Sequence, residues 1–377
     1  MLIQGVRDLL FVERSPGVPD DAVRDILLFT MFMFNLFNSR SSTSIQEEGS
    51  GSEWRAFFTF QYMDKGVMGR WSAFFRFLSL PLPSIMTQRD VIIRMKTIQL
   101  NNGVEMPALG FGVFRLSPAE CERCVLDAIE TGYRSIDTAQ DYQNEEGVGA
   151  AISKCGIPRD QLFITTKVWI SNAGEQRASL SIEESLRKLC TDYVDLLLVH
   201  EPYGDCYGTY RAMEKAYQAG KARTIGLSNF YSVRFIDIAE HMDVKPAVLQ
   251  LETHVFAQQR AMRALIRDYG TQLMAWGPLA QGRHGFFENE TLKAIGAKYG
   301  KTNAQVALNW LVSQDIMPVP KTSHKDRMAS NLDIFDFQLS SEDMDAISRL
   351  DQGETLINDF NNDTDLAQKF LGLKPWN

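Results

Sequence analysis

The sequence of 377 residues lacks the marks of several protein classes. No apolar stretch approaches the ~20 residues that a helix needs to cross a bilayer. The most apolar run, Ile26 to Phe37, is about 12 residues long and contains Asn35, so stable membrane insertion is not expected. It makes a poor secretory signal, because Asp20, Asp21 and Asp25 precede it where a positive start is needed. Basic residues are not in excess. The 47 Asp and Glu outnumber the 39 Lys and Arg, for a net charge of −8, which argues against nucleic acid as a partner. Cysteine is scarce: five residues, all between 121 and 206, in a chain too long to need staples. The odd count and the spacing favour a reducing, cytoplasmic setting. What is present, 45% hydrophobic and 23% charged residues, is a globular balance that excludes disorder or a coiled coil for the whole chain.

Composition changes near residue 95. Residues 1–94 hold 11 of the 23 Phe, no Cys or His, and nine Arg against one Lys. Ser39 to Glu53 (SRSSTSIQEEGSGSE) reads as a flexible linker, and the aromatic segments around Phe57 to Phe60 and Phe74 to Phe77 show no clean helical or strand period. This part is either a targeting or membrane-surface appendage or a poorly ordered extension, with Met86 or Met95 as alternative starts. We favour the extension, since nothing in it resembles a site.

From residue 97 the pattern is regular. TIQLNNGVEMPALGFG signals a hairpin around Asn102-Gly103. Ser117, Pro118 and Glu120 then open a helix as N-cap, first-turn proline and capping box, with Gly132 suited to its end. Strand candidates are 108–114, 133–137, 162–167, 194–200, 222–227, 247–251, 272–276 and 317–320, and apolar residues at helical spacing mark 177–190, 208–219, 231–241, 258–269 and 302–315. Eight strands alternating with helices over residues 95–377 predict a closed parallel (β/α)8 barrel preceded by the hairpin. The rival, an open doubly wound sheet, should carry Gly-x-Gly-x-x-Gly after its first strand. Gly110-Phe111-Gly112 lacks the third glycine.

Chemistry in such barrels is built at the carboxyl ends of the strands. Asp137, Lys167, His200 and Gln250 close or nearly close apolar strands, and Tyr142 follows Asp137 closely enough for its loop to return the phenol to the same rim. A buried Lys beside a Tyr favours phenolate and is expected to lower the phenol pKa. A carboxylate such as Asp137 would keep that Lys charged. A neutral His can orient a carbonyl oxygen. Alone, each of these is more often a satisfied structural group. Together on one rim they read as a device for protonating an oxygen that gains negative charge.

The motifs GYRSIDTAQDYQNEEGVGAAI, ITTKVW, DLLLVHEP, IGLSNF and PVPKTSHKDRMASN, in that order between residue 95 and about 352, resemble the aldo-keto reductase superfamily, and most of all its bacterial and fungal diketogluconate-reductase-like members. The resemblance implies an NADPH-dependent reductase of aldehydes or ketones, monomeric as is usual there, with the cofactor lying across the barrel mouth. It implies a tetrad of Asp137, Tyr142, Lys167 and His200, with Tyr142 the proton donor. Ser228, Asn229 and Gln250 would hold the carboxamide, and Trp276 would stack on the ring. Lys321 and Arg327 would take the ribose phosphate, with Thr322 and Asn331 beside them. Two cations after the last strand argue independently for the phosphorylated cofactor.

Phe114 and Trp169 match positions lining the substrate pocket and suggest an apolar wall. Leu249, Val255 and Gly277 depart from common forms at cofactor contacts, and Glu201 and Tyr203 are less typical after the His. A second reading is an NADPH-binding sensor or regulatory subunit on the same barrel; the intact tetrad argues against it. Cys121 and Cys124 have no second pair with which to bind zinc, and Glu145-Glu146 reads as a helix first turn, so no metal site is expected.

Overall fold

The computed structural model describes residues 43–48, 54–64, 67–77, 96–353, 355–360 and 362–372. The run Ile26 to Phe37, the candidate starts Met86 and Met95, and Trp376 lie outside them. The chain divides into two units, Met1–Val91 and Ile92–Asn377.

In the first unit, β1 (Thr43–Glu48), β2 (Trp54–Asp64) and β3 (Val67–Phe77) pair in order as an antiparallel sheet, with Trp54 opposite Phe77 and Thr43 opposite Phe60. This corrects two expectations. Part of the supposed linker is an edge strand, and the aromatic segments are strands. Adjacent phenylalanines at 57–58 and 74–75 break the alternation by which strands are recognised in sequence, while aromatic content still favours extended chain.

In the second unit, β4 (Thr97–Gln99) and β5 (Glu105–Pro107) form the expected hairpin, with Gly103 at φ 84° in its turn. The asparagines of that turn tie it to barrel loops: Asn101 Nδ2 donates to Pro246 O at 3.2 Å and Asn102 Nδ2 to Arg223 O at 3.0 Å. Eight parallel strands follow: β6 (Phe111–Gly112), β7 (Ser135–Asp137), β8 (Phe163–Val168), β9 (Leu196–Val199), β10 (Ile225–Ser228), β11 (Val248–Glu252), β12 (Gln272–Trp276) and β13 (Met317–Pro318). Gly110 N–H donates to Pro318 O at 3.0 Å and Gly112 N–H to Pro320 O at 3.1 Å, which closes the ring. The first and last strands are shorter than expected for identifiable reasons. Ala108 spends its N–H on Lys96 O in the hairpin, and Pro318 and Pro320 have no N–H to donate.

The helices fall where helical spacing placed them, at Glu175–Lys188, Cys206–Gln218, Ser232–His241, Arg260–Arg267 and Asn303–Val312. Both capping boxes form, Ser117 with Glu120 and Thr302 with Gln305, and Gly132 ends the first helix at φ 126°. Strands β7 to β11 are buried along their whole length, as expected of strands walled by helices outside and packed side chains within. At the amino end of β9 the fully buried Asp195 is saturated: it meets Arg159 and Arg223, each at 2.8 Å, and accepts the Ile164 N–H. That end of the barrel is structural.

Helix Glu145–Lys154 packs closely on the end of Glu175–Lys188 because Gly149 has no side chain; a Cβ there would lie 2.2 Å from Lys188 O. Gly149→Ala should therefore lower unfolding free energy by about 1–3 kcal/mol in urea denaturation. Gly156→Ala also carries the strain of a residue at φ 69° but meets no neighbour, so it should cost less.

Candidate active site

At the carboxyl ends of the strands an open cleft of about 520 Å³ cuts into the barrel. The polar strand-end residues converge at its floor. Lys167, fully buried, donates to Asp137 Oδ2 at 2.8 Å and Thr138 O at 2.9 Å, and its Nζ lies 3.3 Å from the Tyr142 hydroxyl. Gln250 Nε2 reaches across from β11 to the other Asp137 oxygen at 3.0 Å. His200 stands edge-on to Tyr142, ring centroids 5.6 Å apart, and edge-on to Trp169 at 5.0 Å.

The loop bearing Tyr142 is pinned on both sides. Thr138 Oγ1 donates to Asn144 Oδ1 at 2.8 Å, and Asn144 Nδ2 donates to Val113 O at 2.9 Å. Gln140 Oε1 accepts from the Trp169 N–H and from Asn172 Nδ2, both at 2.9 Å. The fully buried Asn144 and partly buried Gln140 went unnoticed in sequence because they touch no reacting group; they fix the phenol's position through the backbone. Glu145 opens the next helix as expected, but is buried and accepts from Thr166 Oγ1 at 2.7 Å.

The electrostatics depart from expectation at one point. Burial, with Asp137, Glu201 and Asp141 adding, pushes the Tyr142 phenol well above its ordinary value rather than below it. The Lys167 charge is spent on Asp137, so the carboxylates and desolvation prevail. Burial lowers the Lys167 ammonium, opposed by Asp137. Burial, then Lys167, holds His200 well below its usual value, which leaves the imidazole neutral.

Other expected site residues divide. Ser228, Asn229, Gln250, Trp276 and Lys321 line the cleft; Thr322, Arg327 and Asn331 lie outside its lining. Ser228 Oγ and His200 Nδ1 are buried without a hydrogen-bond partner. Trp276 Nε1 donates to Asn229 Oδ1 at 2.8 Å, so these two side chains are fixed together. Phe114 and Trp169 line the cleft, and Phe114 lies 5.0 Å from the Tyr142 ring. Phe360 and Phe370 from the C-terminal segment line it too, stacked at 6.1 Å.

The sequence reading missed the loop after β12. Gly277, Leu279, Gln281, Gly282 and Arg283 line the cleft, and Ala280, Gln281 and His284 take φ between 51° and 57°. Three left-handed non-glycine residues so close together mark a strained loop beside the site, invisible in residue type alone. Cys121 and Cys124 are free and buried in the first helix, and no cluster able to hold a metal occurs among the described residues.

The profile of the Aldo/keto reductase family matches residues 108–352. Glyoxal reductase of Bacillus subtilis (strain 168) is 44% identical over 260 residues, covering 68% of this chain and 94% of that protein. Methylglyoxal reductase DkgA of Escherichia coli (strain K12) is 38% identical, covering 69% and 94%. Among solved structures, an aldo-keto reductase of Bombyx mori in complex with NADP superposes with a TM-score of 0.68 at 32% identity, covering 74% of this chain and 98% of that one.

The neutral His200 has a consequence for stability. The folded protein resists protonating it while the unfolded chain titrates near 6.5, so its contribution is complete above that pH and is lost on acidification. Wild-type stability relative to His200→Gln should fall by up to about 1.4 kcal/mol per pH unit below pH ~6.5, measured by urea denaturation between about pH 5 and 7.

Proposed function

The chain belongs to the aldo/keto reductase family, and on that premise we propose how its cleft works. The protein is an NADPH-dependent oxidoreductase that reduces an aldehyde or ketone to an alcohol. The observation that carries the residue assignment is the Asp137–Lys167–Tyr142 contact chain at the floor of an open cleft, with a neutral His200 beside it.

The residues present fit the cofactor. Ser228 Oγ is a buried hydroxyl without a partner, suited with Asn229 and Gln250 to a carboxamide. Lys321 and Arg327 make no ion pair with any described residue, whereas Lys325 is spent on Glu130 at 2.6 Å. Two uncommitted cations suit a phosphate monoester, and we assign Thr322 and Asn331 to the same end. Trp276, held by Asn229, would flank the ring. The strained loop 277–285 adds backbone along the cleft that the sequence alone did not indicate. When bound, NADPH supplies the hydride.

The protein's own part is to polarise and protonate the carbonyl oxygen. Tyr142 and neutral His200 donate hydrogen bonds to that oxygen, and Tyr142 gives up its proton as charge develops there. A phenol held well above its usual pKa keeps its proton until that charge appears. Lys167 then stands 3.3 Å from the resulting phenolate and stabilises it. Asp137 keeps the ammonium oriented, and Gln250 orients Asp137. Phe114 and Trp169 form an apolar wall for the substrate.

We assign this chemistry wholly to residues 95–377 and place the protein in the cytoplasm as a monomer. Its five cysteines are free, no described helix is long and apolar enough to cross a membrane, and the residues that line the cleft run from Gly112 to Phe370. The net charge of −8 supports the absence of a nucleic-acid partner.

Tyr142→Phe should lower kcat by about 10²- to 10⁴-fold while NADPH binding, followed by fluorescence, is unchanged; retained turnover would remove Tyr142 from its role. Removing both cations in Lys321→Ala/Arg327→Ala should raise the Kd for NADPH by at least roughly tenfold and leave that for NADH nearly unaltered. Titrating both cofactors against both proteins checks this.

A further inference from the structure

One acid in the cleft wall has no part in the chemistry above. Glu201 follows His200 at the carboxyl end of β9, is 5% exposed, and lines the cleft. Its Oε2 accepts from Asn229 Nδ2 at 3.0 Å; its other oxygen has no hydrogen-bond partner, and the carboxyl no ion-pair partner, among the described residues. The carboxyl is largely buried, but its second oxygen is open to the cleft, where water or a group of the ligand can be its partner.

The surrounding charges limit what that can be. Asp141 lines the same cleft. The Lys167 ammonium is engaged by Asp137, and Tyr142 and His200 are held uncharged. Arg115 sits over the Phe114 ring, 5.0 Å from its centroid, Lys321 is assigned to the cofactor phosphate, and Arg283 lies on the loop after β12. Burial raises the Glu201 carboxyl well above the usual range, with Asp141 adding and the Asn229 hydrogen bond and Lys167 opposing; burial raises Asp141 also.

We propose that Glu201 determines substrate specificity: its cleft-facing oxygen accepts a hydrogen bond from a hydroxyl carried beside the substrate carbonyl, and the acidic wall that it forms with Asp141 turns away carbonyls bearing a carboxylate. This rests on the reductase reading. The preferred class is therefore small hydroxylated aldehydes and ketones rather than keto acids or semialdehyde acids.

The test compares kcat/KM of the full chain with NADPH for propanal, glyceraldehyde and succinic semialdehyde. Glyceraldehyde should exceed propanal by about tenfold, the worth of one hydrogen bond to a buried acid. Succinic semialdehyde should fall below propanal, by a margin that widens as pH rises and Glu201 and Asp141 lose their protons. Glu201→Leu should bring both ratios towards one. Glu201→Gln keeps an acceptor without the charge, so it should retain the preference for glyceraldehyde and relieve the penalty on the acid.

Ratios are the readout because any disturbance of Asn229 falls on all three substrates alike. Unchanged ratios in Glu201→Leu would overturn the proposal, as would a wild type that favours the acid. If the leucine variant does not fold, the wild-type pH profile decides: a succinic semialdehyde to propanal ratio that stays flat with pH overturns it. Absence of turnover on all three with NADPH bound would overturn the reductase reading itself, a separate failure.

Discussion

An ammonium buried at the centre of the barrel is the constraint on which the site depends. Lys167 is fully enclosed and has given up its water, a loss that only good geometry and full hydrogen bonding can offset. Asp137 and Thr138 O supply two of its three donor directions, and the third points at Tyr142. Asp137 comes from the neighbouring strand and is itself held by Gln250 from β11, so three strands complete the set of bonds around the charge.

Buried polar groups in the barrel fall into two kinds, those satisfied within the fold and those left open. At the amino end Asp195 is saturated by two arginines and a backbone N–H, and its polar atoms are accounted for within the fold. At the carboxyl end His200 Nδ1 and Ser228 Oγ are buried without partners among the described residues, beside a cleft that opens to solvent. Buried hydroxyls without a partner among the described residues occur at Ser135, Thr165 and Thr224 as well, but His200 and Ser228 are the ones that line the cleft, where a ligand can supply the missing bond.

Much of this was legible in the sequence. Apolar strands ending in Asp137, Lys167 and His200 announced both the barrel and the side of it that matters, because burial with an abrupt polar end is a one-dimensional signal. What escaped was whatever depends on geometry between distant segments. Asn144 and Gln140 brace the Tyr142 loop through contacts with Val113 and Trp169 that no local pattern records. The loop after β12 reaches left-handed conformations at Ala280 and Gln281, which residue type does not foretell. The direction of the Tyr142 shift was misjudged because sequence supplied the lysine as a neighbour but not the balance of carboxylates and burial around the phenol. The strands near the amino terminus were hidden by doubled phenylalanines that blur the alternation.

The C-terminal segment is joined to the barrel by backbone hydrogen bonds and by ring contacts. Leu356 and Ile357 donate their N–H groups to the buried Glu252, and Tyr203 donates its hydroxyl to Phe360 O at 2.9 Å. Backbone groups are the same whatever side chain they carry, so this part of the anchor tolerates almost any sequence in the tail it holds. Phe360 and Phe370 wall the cleft, and Phe370 stands edge-on to Trp169 at 5.5 Å, the ring that in turn stands edge-on to His200. A change of ring at Phe370 therefore reshapes the substrate space and alters the support of the neutral imidazole at once, so selectivity and proton delivery are coupled through Trp169.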